Sequence, residues 1–110
     1  ADLRGADLGQ IQVGQHPDRL PAKLMGSNFE GADFTNAFLE RVDFTEANLR
    51  NANLTHAIVV SAFLYKADLR GANLTGADFS FADMEDALTE GAIFCNTIMP
   101  DSEINNADCP

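Results

Sequence analysis

The sequence is poor in basic residues. Its 110 residues contain 7 Lys and Arg against 17 Asp and Glu, which gives a formal net charge of −10. Binding to nucleic acid is therefore excluded, because backbone phosphates are held by Lys and Arg. A protein partner is instead expected to present a basic or an apolar surface.

Long apolar runs are missing too. No stretch approaches the roughly 20 apolar residues that a membrane-spanning helix needs, so we expect no membrane span. The length leaves room for one domain, which we assign to residues 1–110.

Signatures of catalysis are also absent. No Ser or Cys has a base at a recognisable spacing, and there is no Gly-rich phosphate loop. Of the two histidines, His16 lies beside Asp18 in a segment with two prolines, and His56 stands alone. We therefore expect a protein that is not an enzyme and has no catalytic residue, no cofactor and no metal site.

What the sequence contains instead is a period of five. From Leu24 onward every fifth residue is apolar except Thr89, and a small residue, mostly Ala, stands two places before it. These apolar positions are Leu24, Phe29, Phe34, Leu39, Phe44, Leu49, Leu54, Val59, Leu64, Leu69, Leu74, Phe79, Met84, Phe94, Met99, Ile104 and Cys109. A helix is excluded, because each repeat would drift about 140° around its axis.

An extended chain keeps this pattern on one side only if it turns a corner in every repeat, because side chains alternate between the two faces of a strand. Six of the eight glycines fall at the fifth position, where that corner is expected. At a spacing of twenty, Thr35, Thr55 and Thr75 align, whereas a spacing of fifteen aligns nothing similar. The pattern thus predicts a solenoid with four faces per coil.

The repeats "ADFTN", "ANLRN", "ANLTH", "ADLRG", "ANLTG" and "ADFSF" resemble the pentapeptide-repeat family. The resemblance implies an all-β fold, a right-handed quadrilateral parallel β-helix, here with about five coils. It also implies that Asp or Asn at the second place of each repeat is the ordinary surface pattern of the family rather than a metal site. The column Glu30, Arg50, Arg70 and Glu90 is interpreted as an exposed ladder of ion pairs rather than an anion site.

The two ends depart from the repeat. We assign residues 1–13 to the first pentads, 14–21 to a loop insertion with one extra residue, and 22–99 to regular coils. Pro100 removes a backbone donor that the ladder needs, so residues 100–110 are predicted to form a non-repeat C-terminal cap over the open end.

The two cysteines, Cys95 and Cys109, are candidates for a disulfide. If both kept the repeat register, Cys95 would point outward and Cys109 inward, and they could not be joined. If the tail leaves the solenoid at Pro100, a bond becomes feasible and contributes roughly 3 kcal/mol. A disulfide implies an oxidising compartment, and two free thiols are the alternative.

The stretch "HAIVVSAFLYK", residues 56–66, is apolar on both sides. Alternate residues continue the inner pattern, so the others point outward on two neighbouring faces. With Phe38, twenty residues before Ile58, these outward residues form a candidate interaction patch, which comprises Phe38, Ile58, Val60, Phe63 and Tyr65. One alternative is that outward places simply tolerate some apolar residues, and another is that the N-terminal loop folds over these side chains.

Three functions are compatible with this pattern. The first is a rigid, non-enzymatic scaffold for protein interaction, expected as a monomer. It is similar to cyanobacterial and plant family members of the thylakoid lumen or periplasm, with a cytoplasmic location as the alternative. The second, implied by other family members, is a DNA mimic that binds gyrase and protects it from quinolones. The charge of −10 fits a DNA mimic, but the length does not, because about five coils give a rod of only ~24 Å, the length of roughly seven base pairs. The third is the repeat part of a longer multidomain protein.

Overall fold

The computed structural model describes residues 4–5 and 24–110. Apart from Arg4 and Gly5, the predicted first pentads and the predicted loop at 14–21 lie outside the described residues. Gly5 is placed by its backbone N–H, which donates to Glu30 O at 2.8 Å. These two residues are 25 positions apart, whereas the corresponding donor Gly26 bonds Thr45 O, 19 positions later. The first interval is thus longer by six residues, which is one five-residue repeat and one further residue.

The corners of the solenoid are two-residue turns. From Ser27 to Ala92 the small residue of the pentad donates its N–H to the carbonyl of the central residue three positions earlier, as Ala32 does to Phe29 O at 2.9 Å. The residue just before the small one has a positive φ, as a turn of this kind requires. Gly fits this conformation without strain, as at Gly31 with φ of 69°. Ten corners of the described chain nevertheless carry other residues: Asn36, Arg41, Glu46, Asn51, His56, Ser61, Lys66, Phe81, Asp86 and Asn96.

Between corners the chain is extended and pairs in parallel with the coil above. Isolated bridges join residues 20 positions apart, from Asn28 with Asn48 up to Asp78 with Ile98. Four five-residue faces therefore make one coil, and the chain is a parallel β-helix. Each face is held to the next coil by three backbone bonds, such as Phe29 N–H to Asn48 O at 2.7 Å, Gly31 N–H to Arg50 O at 2.9 Å and Asn48 N–H to Ser27 O at 2.9 Å.

The axis of the helix is filled by the apolar and the small columns. From Phe29 to Phe79, the apolar residues of the repeat are at most 1% exposed. At the N-terminal side of the core, Phe29, Phe34 and Phe44 pack edge to face, with ring centroids 5.3–6.0 Å apart. Full burial of these side chains is the main stabilising contribution to the fold.

The Asp and Asn residues of the repeat have a local structural role. Asp33 Oδ1 accepts hydrogen bonds from the backbone N–H of Thr35 at 2.9 Å and from its hydroxyl at 2.5 Å. Asn53 with Thr55 and Asn73 with Thr75 repeat this arrangement. The short side chain satisfies a backbone donor at the start of the corner, as Asx residues do in turns.

The C-terminal segment contains the two regular strands of the described chain, β1 (Thr97–Ile98) and β2 (Ile104–Asn105). They pair antiparallel, with Thr97 opposite Asn105 and Ile98 opposite Ile104. β1 also continues the parallel ladder, because Ile98 pairs with Asp78. Pro100 O still accepts a ladder bond from Phe81 N–H at 3.1 Å, and the chain reverses direction beyond it, where Met99 N–H donates to Glu103 O at 2.8 Å.

The last residues return along the edge of the final coil. Asp108 N–H donates to Phe94 O at 2.9 Å, and Asp108 Oδ2 accepts from Phe94 N–H at 3.0 Å. Asn106 Oδ1 accepts from Asn96 N–H at 2.7 Å. The tail therefore occupies the place that a further coil would have on this face.

Candidate interaction surface

The five residues of the predicted patch lie on two adjacent faces of the helix. Phe38 and Ile58 are paired in the parallel ladder, so they lie on one face in consecutive coils. Val60 follows on the same face, and Phe63 and Tyr65 lie on the next one. Phe38 and Phe63 are 43% and 47% exposed, and the other three side chains are half-buried.

The inner pattern continues without interruption beneath this surface. Ala57, Val59, Ala62 and Leu64 are at most 1% exposed. The outward apolar residues are therefore not needed to fill the core, and their presence adds apolar area to the outside.

Sequence reasoning missed Phe81, the most exposed large apolar side chain of the described residues at 75%. Phe81 occupies a corner with φ of 61°. Ser61 is the corner residue between the two faces of the patch, and its N–H donates to Ser80 O. Phe81 therefore lies one coil above Ser61, at the same corner. The signal in the sequence was a Phe at the fifth place of "ADFSF", where most repeats have Gly or a polar residue. We call Phe81 and the five predicted residues the outer patch.

Acidic side chains flank the outer patch. Asp43 and Asp83 are the ladder partners of Phe63 on its two sides, and Asp78 is the partner of Ile58. Two basic residues also lie at this surface. Arg41 occupies the corner one coil below Ser61, and Lys66 Nζ lies 5.4 Å from the centroid of the Tyr65 ring. The arrangement is apolar in the middle and mainly acidic at the border, which suits a protein surface with an apolar centre and basic residues around it.

The family model for pentapeptide repeats matches residues 22–59 and 61–88 with eight copies. The chain belongs to the pentapeptide-repeat family. No curated protein sequence matches it.

Several solved pentapeptide-repeat structures are similar to this chain. A pentapeptide-repeat protein of the Arabidopsis thaliana thylakoid lumen is 28% identical with a TM-score of 0.55, covering 94% of this chain and 68% of its own. HetL, involved in heterocyst differentiation regulation in the cyanobacterium Nostoc, is 27% identical with a TM-score of 0.46, and the match covers 96% of this chain. This chain spans about half of HetL, 52% of its length. QnrB1, a plasmid-mediated fluoroquinolone resistance protein, is 19% identical with a TM-score of 0.43 over 89% of this chain and 60% of its own.

The arginine column of this pentapeptide-repeat chain is engaged in ion pairs. Arg70 binds Asp68 through two hydrogen bonds, Nε to Oδ1 at 2.9 Å and Nη2 to Oδ2 at 2.7 Å. This side-chain contact lowers the pKa of Asp68 and raises that of Arg70. Arg50 lies 3.8 Å from both Glu30 and Asp68. Both guanidinium groups thus face carboxylates of their own chain. The pair of Arg50 with Glu30 belongs to the predicted column, whereas Asp68, which both arginines face, lies outside it.

The structure joins Cys95 and Cys109 by a disulfide, with a Cα–Cα distance of 4.7 Å. Cys109 leaves the repeat register together with the tail. It therefore does not point inward, as the repeat register would require, and can be joined to Cys95. Cys95 is 9% exposed, because the returning tail covers it, and Cys109 is exposed.

The described residues form no metal-binding cluster, no pocket and no membrane-spanning helix. Within residues 24–110, His, Cys, Asp and Glu form no group of three or more that could hold a metal ion. The same part of the chain forms no pocket. None of the described residues belongs to a helix of the length and hydrophobicity needed to cross a membrane.

Proposed function

We propose that this chain is a non-enzymatic, rigid protein-interaction module that binds a partner protein through the outer patch. The observation that carries the proposal is the apolar surface on two neighbouring faces, laid over an inner pattern that is complete without it. Contiguous exposed apolar area of a few hundred Å² commonly marks a contact surface. Aromatic residues dominate such contacts, and Phe38, Phe63, Tyr65 and Phe81 supply four of the six side chains.

The proposed scaffold consists of about five right-handed coils, with the C-terminal cap over two of the four faces at its end. The parallel ladder fixes each outward side chain relative to its neighbours, so that a partner meets a surface already in its binding form and little ordering is needed on association. Solenoids present extended surfaces of this kind.

We further propose that the protein works as a monomer in an oxidising compartment, either the thylakoid lumen or the periplasm. The support is the disulfide between Cys95 and Cys109, because such bonds persist mainly outside reducing compartments. The similarity to the lumenal Arabidopsis protein points the same way. Mass analysis of the native protein after thiol alkylation, with and without reductant, tests this location. Two freely alkylated thiols in unreduced native protein would favour the cytoplasmic alternative.

The interaction itself is tested with Phe63→Asp. Immobilised wild-type protein is incubated with an extract of the source organism, and captured proteins are identified by mass spectrometry. Phe63→Asp should abolish capture of the specific partner, because a charge in the middle of an apolar contact is buried without a counter-ion. Asn53→Asp, which also adds a carboxylate to an outward ladder position, is the control and should capture normally. Equal capture by both variants would refute binding through the outer patch.

A further inference from the structure

The final coil has an unpaired backbone edge on two of its faces. We call residues 82–91 the C-terminal edge. One coil earlier, the equivalent amides are all bonded to the coil above: Leu64 to Asp83 O, Lys66 to Glu85 O, Leu69 to Leu88 O and Gly71 to Glu90 O, at 2.7–3.0 Å. The amides that follow them by 20 residues are those of Met84, Asp86, Thr89 and Gly91, and none has an acceptor among the residues that the structure describes.

The carbonyl side of the edge is equally free. Ala62 O and Ala67 O each accept a ladder bond of 2.9 Å from the coil above, whereas no donor within residues 24–110 reaches Ala82 O or Ala87 O. The tail serves only the other two faces, through Asp108, Asn106 and β2. Half of the coil end is thus covered by the chain itself, and the other half presents donors and acceptors at the spacing of a further coil.

The core is also open at this place. Met84 and Thr89 occupy the inward column but are half-buried, whereas Leu64 and Leu69, one coil earlier, are at most 1% exposed. Leu88 lies between them on the outer side and is 45% exposed. An added strand would therefore cover apolar side chains as well as pair backbone groups, the combination that β-strand addition uses.

The charge of the chain is concentrated at this end. Residues 71–110 contain eight Asp and Glu and no Lys or Arg. Four of these, Asp83, Glu85, Asp86 and Glu90, lie on the C-terminal edge and are exposed. They oppose pairing with a second copy of this chain, which itself carries −10. They favour a segment with outward-pointing Lys or Arg.

We propose that the C-terminal edge is a second binding site, independent of the outer patch, and that it takes an extended basic segment of another protein by β-strand addition. The segment lies parallel to residues 82–91. It places an apolar residue over Met84 and another over Thr89, and it presents lysines or arginines to the four carboxylates. Its backbone supplies the carbonyls that the four free amides lack.

The test uses the full 110-residue chain and a ten-residue peptide of two A-K-L-K-G units as the probe. Hydrogen exchange is followed by NMR at single amides. In the free protein, the amides of Met84, Asp86, Thr89 and Gly91 should exchange fast and those 20 residues earlier slowly. Saturating peptide should slow the four edge amides at least about tenfold, because each gains an acceptor. Unchanged exchange, or protection of these amides in the free monomer, would overturn the proposal.

A matched pair of variants tests the contribution of charge. Asp86 and Glu46 are exposed corner residues in the same column, two coils apart, with φ of 58° and 59°. Asp86→Lys should weaken peptide binding about tenfold, and Glu46→Lys should change it less than about threefold. An equal loss in both variants would mean attraction to overall charge and would contradict a site at the edge.

Three controls distinguish basic-strand binding at the C-terminal edge from binding of an acidic strand, binding at the outer patch and self-association. The acidic peptide of two A-E-L-E-G units should not protect the edge, and protection by it would contradict the proposed partner chemistry. Phe38→Asp changes the outer patch at a residue whose ladder partner, Ile58, lies outside the C-terminal edge. It should leave peptide binding unchanged, so that failure of the outer patch and failure of the edge can be told apart. Edge protection that appears on concentrating the protein alone would identify a second copy as the occupant and would overturn the proposal.

Discussion

Truncating an inward leucine should cost far more stability than truncating an outward one on the same face. Leu69 is fully buried, and Leu88 lies on the same face one coil later, where it is 45% exposed. Leu69 N–H donates to Leu88 O at 2.7 Å, so the two residues are neighbours in the same ladder. The substitutions Leu69→Ala and Leu88→Ala remove the same atoms, and only the environment differs.

The expected difference follows from burial. Removing three buried carbons costs about 2.4 kcal/mol in transfer free energy, at about 0.8 kcal/mol for each. The cavity that remains adds to this, so Leu69→Ala should lower the free energy of unfolding by about 3–4 kcal/mol. Truncating Leu88 leaves no enclosed cavity, and about half of its surface is already in water. Leu88→Ala should therefore lower the free energy of unfolding by only about 1 kcal/mol.

Urea unfolding followed by far-UV circular dichroism measures both variants against the wild type. Repeat proteins can unfold in parts, so tyrosine fluorescence, which reports on Tyr65, should be recorded alongside to check that the transitions coincide. A loss below about 1 kcal/mol for Leu69→Ala, or equal losses for the two variants, would refute the assignment of inward and outward columns.

Three further predictions concern the tail, the Asx turns and the corners. Reduction of the bond between Cys95 and Cys109 should lower the free energy of unfolding by up to about 3 kcal/mol, since the loop is no longer closed in the unfolded chain; unchanged urea midpoints with and without reductant would contradict this. Hydrogen bonds from the hydroxyl and then the backbone N–H of Thr35 lower the pKa of Asp33 below 3.8. Its stabilisation is thus present above about pH 4 and lost as the pH falls through the folded value, so Asp33→Asn should reduce the drop in melting temperature between about pH 5 and pH 2.5. At the corners, the methyl group of Gly31→Ala would meet open space, so this variant should lower the free energy of unfolding by about 1 kcal/mol because of its positive φ. The methyl group of Gly76→Ala would also meet the imidazole of His56 one coil below, so the loss should be larger. Equal unfolding free energies for the two variants would show that the imidazole moves away freely.

The sequence predicted the repeat and its consequences well, because a strict period leaves few geometric solutions. The five-residue spacing of Leu54, Val59 and Leu64 excludes a helix, and the alignment of Thr35 with Thr55 chose the coil of four faces that the ladder shows. Membership of the pentapeptide-repeat family, predicted from motifs such as "ANLTG", is confirmed by the family match.

What the sequence did not reveal depends on contacts outside the repeat. Phe81 was overlooked because corners were expected to carry Gly or polar residues, whereas the fold accepts positive φ in a large side chain. The path of the tail follows from hydrogen bonds of Asn106 and Asp108, which no repeat specifies.

The change from coil to tail is nevertheless marked in the sequence by the residue that breaks the small column. Thr97 stands where the repeat has Ala, and its hydroxyl, fully buried, donates to Leu74 O at 2.7 Å. A hydroxyl can be buried here only because it has this acceptor, since an unpaired one would cost about 1–3 kcal/mol. Thr97 thus anchors β1 to the coil below at the start of the last face that pairs with that coil, which extends to Pro100. Beyond it the chain stops adding coils, so the faces that the tail does not reach keep an unpaired edge.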